Sequence, residues 1–295
     1  ILFNNVLAIG IGLVPLIAKT EEVVSNTAFE ITSRSALVIA TAQLINAATK
    51  FSTSKAASGL SDYMGRKPVL ILASIMFTVG RLFIVTSKSA GMLFVGAFIN
   101  GLADVILPVA QAWLCDLLEN SERGKSFGIL AGFGFGFGFA IGLPMGGVIA
   151  QKVSTDAALW ISTLLPACNA VLILFCNVPD TYGIVDMAPT VEVAHRYKAH
   201  KRRFPPDFCR YLYEQNPMSA FHRMKMARLN PWDWGSFVFG EASFKIYQTL
   251  LIVFLQDIMS LTQAQAGITL CLVGLLVAVI CPLLLDRYTE RPLFF

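Results

Sequence analysis

The stretch GFGFGFGFAIGLPMGG, residues 132–147, admits two readings. Phe and Gly alternate over its first eight positions, which is the period of a β-strand with phenyl rings on one face. Gly134, Gly138, Gly142 and Gly146 also recur every fourth residue, which on a helix makes a bare stripe where another backbone can come close. The surrounding solvent decides between them. Of 295 residues, 55% are hydrophobic and 14% charged, with a mean hydropathy of +0.64; soluble domains carry about 25% charged residues. Ser126 to Gln151 is a run of 26 residues without a charge, and Ala157 to Pro179 a run of 23. In hydrocarbon an isolated strand leaves its backbone groups unpaired, so only helices and closed barrels survive. Barrel strands are about 9–11 residues long and polar on alternate positions, and these runs are neither. The stretch therefore reads as a helix with a glycine stripe.

The same logic places eight spans, at about 1–18, 35–57, 68–86, 90–117, 126–151, 157–178, 235–257 and 264–285. The loops after even-numbered spans hold fifteen Lys and Arg, against four in the loops after odd-numbered ones. Basic loops stay in the cytoplasm, which assigns the N-terminus and residues 179–234 to that side. This asymmetry accounts for the net charge of +4 with no nucleic-acid partner. Within 179–234, AHRYKAHKRRFPPDF reads as a basic, Pro-broken linker near anionic lipid, and NPMSAFHRMKMARLNPWDW as a short amphipathic helix on the membrane surface. The chain opens on Ile1 inside an apolar run and stops at RPLFF as a ninth run begins, so the reading expects about helices 1–8 of a longer bundle. No cysteine pair or CxxC signals a disulfide framework or a metal site, and no cofactor is implied.

A repeat divides the chain. LSDYMGRKPVL follows span 2 and LLDRYTERPLF follows span 8; Leu60, Asp62, Lys67 and Pro68 match Leu284, Asp286, Arg291 and Pro292 at the same offsets. Internal symmetry of this kind marks secondary transporters. In the first copy, Gly65 permits a tight reversal between two helices that both re-enter the bilayer. Pro68 suits a first helical turn, where a missing N–H costs nothing. Asp62, Arg66 and Lys67 place both signs of charge at the membrane lip, where ion pairs can form in one conformation and break in another.

Leu60, Asp62, Gly65, Arg66 and Lys67 resemble the loop G-x-L-x-D-x-x-G-R-K between the second and third helices of the major facilitator superfamily; Ser58 and Tyr63 depart from it. The resemblance implies an all-α, polytopic transmembrane bundle of two six-helix halves. Residues 1–178 would form the first half, 179–234 the linker and 235–295 the start of a truncated second half. It implies that Asp62 and Arg66 help join the cytoplasmic ends of the two halves, together with Asp116 at the end of helix 4 and Arg123 beyond it. GLPMGG, with Gly138, Gly142, Pro144, Gly146 and Gly147 around it, resembles the fifth-helix motif of the family's drug and proton antiporters. Against that branch, the Arg expected four residues before Gly101 is Ala97, which puts the usual proton relay in doubt.

Ionisable residues inside spans are costly and point to function. Asp104 lies about 20 Å from the cytoplasmic end of helix 4 and Lys245 about 15 Å from that end of helix 7, counted at the helical rise. The resemblance implies that helices 4 and 7 line a central cavity from opposite halves, so Asp104 and Lys245, with Glu241 one turn away, are the candidate substrate or ion site, to which Gln43, Asn46 and Gln111 add polar groups. Glu241 and Lys245 can equally satisfy each other as an i,i+4 pair. Arg81, near the outer end of helix 3, is expected to snorkel to water. ERGKS resembles the end of a phosphate loop, but its first Gly would fall on Glu119. No nucleophile–base pair is present in the spans, so an enzyme is not expected. The expectation is a monomeric secondary transporter of a small solute, working by alternating access and coupled to a proton or another ion. A facilitated uniporter and a transporter-derived receptor or scaffold are the alternatives.

Overall fold

The computed structural model describes residues 2–25, 31–118, 126–130, 132–175, 251, 254–255, 259–272, 275–276 and 279, and among these there is no strand. The helices are α1 (Leu2–Ser25), α2 (Ile31–Met64), α3 (Arg66–Val85), α4 (Ala90–Ala103), α5 (Ile106–Leu117), α6 (Gly138–Lys152) and α7 (Thr155–Phe175), with a helix over 263–272 beyond them. Five stretches are long and apolar enough to cross a membrane: Leu2–Val24, Arg66–Val85, Ala90–Leu117, Ser126–Lys152 and Thr155–Phe175. Helix α2 is not among them, although its 34 residues reach further than any other helix. Its lysines and its many Ser and Thr lower the hydropathy below that of a plain lipid-facing span. The hydroxyls of Thr41, Thr49, Ser52 and Thr53 donate to the carbonyls four residues earlier, at 2.7–2.8 Å, so these four are satisfied within α2 itself.

Helices α1, α2, α4, α3 and α7 follow one another around a ring in which each packs on the next, and α6 lies along the outside of α1. One core cluster joins Val14 and Ile17 of α1 to Ile39, Leu143, Ala266 and Leu270; a second joins Val69, Leu70 and Ala73 of α3 to Val105, Ile106, Val109 and Ile173. Outward-facing apolar side chains such as Ile75, Val79, Phe98, Leu164 and Leu172 are exposed, as a surface solvated by acyl chains allows.

The fourth span departs from a single helix. It breaks at Asp104 and Val105, whose backbone angles (φ −77°, ψ 48° and φ −111°, ψ 0°) leave the helical region. Pro108 explains the break: it has no N–H for the carbonyl of Asp104 four residues earlier, and its ring would press on that oxygen.

The glycine-rich stretch is helical throughout, but Gly132–Phe137 winds as a π-helix before α6 begins. In the wider turn Gly132, Gly134 and Gly136 are buried while Phe133 and Phe137 point outward. The rings of Phe133 and Phe137 pair at 5.6 Å between centroids, and Phe3 of α1 meets Phe133 at 5.3 Å. Phe135, about half a turn from both, is half-buried and pairs instead with Phe139 at 6.5 Å, so the alternating rings divide between two sides of the helix.

Candidate functional site

Three polar clusters lie along the bundle. At the α2–α3 turn, Gly65 adopts φ 95° and ψ 157°, a conformation essentially confined to glycine. This reversal, closed by the Gly65 N–H on Ser61 O at 3.1 Å, turns Arg66 back into the bundle. The Arg66 Nε donates to Asp116 Oδ2 of α5 at 3.0 Å, and its Nη1 donates to Ser61 Oγ, which in turn donates to the carbonyl of Ser58. Arg66 is buried and Asp116 is partly exposed. Lys67 is half-buried beside them. The side chain of Asp62 and residue Arg123 lie outside the described residues.

The second cluster sits at the break in the fourth span. Gly101 lets α2 and α4 approach closely: a Cβ there would lie 2.6 Å from Asn46 O and 2.7 Å from Thr49 Cβ. Asn46 Nδ2 donates across the contact to Ala97 O at 3.3 Å. One turn further along α2, Lys50 Nζ meets Asp104 Oδ2 at 2.8 Å. Lys50 lies fourteen residues from the end of α2 and Asp104 twelve residues before Asp116, which places the pair about 18–21 Å from the α2–α3 turn. In a hydrocarbon layer about 30 Å thick that is near the midplane. The two side chains nevertheless keep 38% and 30% of their surface exposed. Charged groups at that depth face the bundle interior or a water-filled cavity. Gln43 is half-buried on the same helix and Gln111 is exposed on α5.

Lys50 was not singled out in the sequence, though a lysine inside span 35–57 was the signal. The structure gives Asp104 a partner on α2, whereas the sequence reading placed it with Glu241 and Lys245. Those two residues, and Asp286 and Arg291 of the repeat, lie outside the described residues. Arg81 also departs from expectation. It does not snorkel: it is 8% exposed, with Nη1 on Ser162 Oγ at 3.3 Å and its guanidinium 5.2 Å from the Phe77 ring. Gly12 of α1 creates the room, since a Cβ there would collide with Arg81 Nη1. A third cluster ties α1 to the start of α7, where the buried Lys19 bridges Glu22 at 3.0 Å and Asp156 at 3.2 Å.

The glycine stripe serves packing on both sides of α6. Gly142 faces Leu7 O, Gly10 Cα and Ile11 N, while Gly138 faces Val6 and Gly146 the backbone of Ile11. On the other side Gly147 meets the backbone of Gln263 and Ala264, and Gly267 that of Leu143 and Pro144. Among the described residues no group of three His, Cys, Asp or Glu could hold a metal ion.

A multi-helix bundle with apolar spans, a charged reversal after its second helix and an ion pair near mid-bilayer defines the class as polytopic helical membrane proteins. The chain belongs to the Major Facilitator Superfamily, whose family model matches residues 6–295. Among its relatives, an MFS-type transporter of Aspergillus terreus is 33% identical over 159 residues, 51% of this chain and 28% of that protein. The class B tetracycline resistance protein of Escherichia coli is 31% identical over 117 residues, 39% of this chain and 28% of that protein. The chain therefore matches less than a third of the length of either relative. In fold it resembles the crystal structure of the human organic anion transporter MFSD10 (TETRAN), with a TM-score of 0.60 at 17% identity over 95% of this chain and 70% of that one.

Proposed function

We propose that the protein moves a small solute across its membrane by alternating access, as a secondary transporter of the drug-antiporter-like branch whose N-terminus and residues 179–234 face the cytoplasm. The half-exposed Lys50–Asp104 pair near the midplane carries this reading. Its desolvation is offset only where water or solute can reach it, and a bundle built for structure alone would be more stable with apolar side chains there. Asn46, Gln43 and Gln111 complete the polar lining, with Glu241 and Lys245 contributing from helix 7. The Arg66–Asp116 pair, with Asp62 and Arg123, holds the cytoplasmic lip in one state and releases it in the other. Gly138, Gly142, Gly146 and Gly147, with Pro144, let α6 keep close contact with its neighbours.

Ala97 favours a second mode. It is buried and its carbonyl accepts from Asn46, so the cationic proton relay of that helix is absent at this position. Facilitated uniport fits that substitution, and counterflow independent of pH would support it. The primary test is uptake of a mixed solute panel by the full-length protein in liposomes. Arg66→Ala is expected to slow uptake at least tenfold, and Arg66→Asp combined with Asp116→Arg to recover part of it. Absence of flux for every solute in the panel would overturn the proposal.

A further inference from the structure

Arg81 carries a charge that no acid among the described residues answers. It is buried where α7 packs on both α1 and α3. One of its N–H groups meets the neutral Ser162 Oγ at 3.3 Å, while the buried Nε has no hydrogen-bond partner among the described residues. Ser162 donates its own proton to Leu159 O at 2.8 Å. The Phe77 ring lies 5.2 Å from the guanidinium but brings no negative charge.

The acids described on the surrounding helices are engaged elsewhere. Asp156 of α7 and Glu22 of α1 hold Lys19, Asp104 holds Lys50, and Asp116 holds Arg66. Helix α3 itself contains no acid. Asp156 lies six residues from Ser162 and Lys19 seven from Gly12, so this outer cluster, with Glu21 on the same helix, stands about 9–10 Å along the bundle from Arg81.

A buried charge without a partner is strongly destabilising. A guanidinium does not escape by releasing its proton, as a buried lysine can. An anion from solution is the remaining source of compensation, and the packing limits its size. A Cβ at Gly12 would lie 2.9 Å from Ser162 Oγ and would collide with Arg81 Nη1, so that side has no room even for a methyl group. The Nε edge is shut off from solvent. A monatomic ion of one negative charge satisfies both limits, demands no directional acceptor geometry, and suits a weakly hydrated guanidinium.

We propose that Arg81 binds a halide ion, chloride in physiological solution, along its Nε edge. Arg81 stands four residues before Val85, about 6 Å from the end of α3 opposite the Gly65 turn, and the ion enters from that end. Once bound, it completes the charge at the junction of α1, α3 and α7 and holds these helices together. The site is separate from the Lys50–Asp104 pair, which joins α2 to the break after α4, and it does not depend on the transport reading.

The test uses the full-length protein purified in detergent without halide, with gluconate as the counter-anion. Chloride then replaces gluconate at constant ionic strength while Tm is followed by tryptophan fluorescence. A ligand held only by the folded state raises Tm with its concentration, so a saturable rise of about 3 °C or more is expected. Bromide should match it and acetate should not. Arg81→Gln should abolish the chloride response. Ser162→Asp places a carboxylate beside Nη1; it should raise Tm in gluconate and also remove the response. It keeps the comparison available if Arg81→Gln does not fold. Bromide in crystals of the parent protein should give an anomalous peak beside Arg81 Nε. The proposal is overturned by a Tm indifferent to chloride, by an equal rise with acetate, by a chloride response that survives in either variant, or by a bromide map without a peak at Arg81.

Discussion

Alanine at Gly142 tests whether the glycine stripe sets the distance between α6 and α1. A Cβ there would lie 2.8 Å from Leu7 O, 3.1 Å from Gly10 Cα and 3.2 Å from Ile11 N, all backbone atoms, where ordinary contact begins near 3.4 Å. Helix α1 must therefore retreat by about 0.6 Å along that contact, because no side chain can rotate out of the way. Overpacking of this kind costs about 1–3 kcal/mol, and a rigid backbone neighbour argues for the upper end. Alanine's better helix propensity returns about 1 kcal/mol. The net is a destabilisation of about 2 kcal/mol, or a fall of about 4–8 °C in Tm for a bundle of this size. Gly91→Ala is the control, since its Cβ would meet nothing nearer than Ser89 Oγ at 3.9 Å. It keeps the propensity gain, up to about 1 kcal/mol, without the steric cost. Thermal unfolding in detergent, followed by tryptophan fluorescence, should move the two variants in opposite directions. Equal Tm values for Gly142→Ala and the parent protein would refute the close-contact argument.

Two further outcomes follow from the packing of α1. Gly12→Ala should destabilise by about 1–3 kcal/mol through the clash with Arg81. A double-mutant cycle with Arg81→Gln should show coupling of at least about 0.5 kcal/mol, measured in the same unfolding assay. Asn4→Leu removes the bonds from Asn4 Nδ2 to Leu165 O at 2.8 Å and to Asn169 Oδ1 at 2.9 Å, joining α1 to α7. Interhelical bonds in membranes are worth about 0.6–1.7 kcal/mol, so Tm should fall by several degrees, and an unchanged Tm would show that this junction is held by apolar packing alone.

The contrast between what was legible in the sequence and what was not follows the range of each interaction. A run such as Ser126–Gln151 must be helical whatever surrounds it, because its backbone groups have no partners in hydrocarbon except one another. The π turn over Gly132–Phe137 escaped that reasoning, since both kinds of helix satisfy the backbone and the apolar pattern does not separate them. The break at Asp104 was not anticipated, because 90–117 reads as one apolar span, although Pro108 four residues on accounts for it. Arg66 and Asp116 were brought to one lip by the family resemblance and not by any local pattern, and the structure pairs them at 3.0 Å.

Sequence alone determined that this is a helical membrane protein, which ends of its helices carry charge, and that its fifth span has a bare stripe. Those features depend on neighbours within a turn or two. Tertiary structure decided which charges meet. Lys50 lies 54 residues from Asp104, and Arg81 reaches Ser162, 81 residues away, through space that Gly12 leaves open. In a low-dielectric interior an ionisable side chain is placed by whichever partner the packed helices bring within about 3 Å, and no local pattern along the chain records that choice.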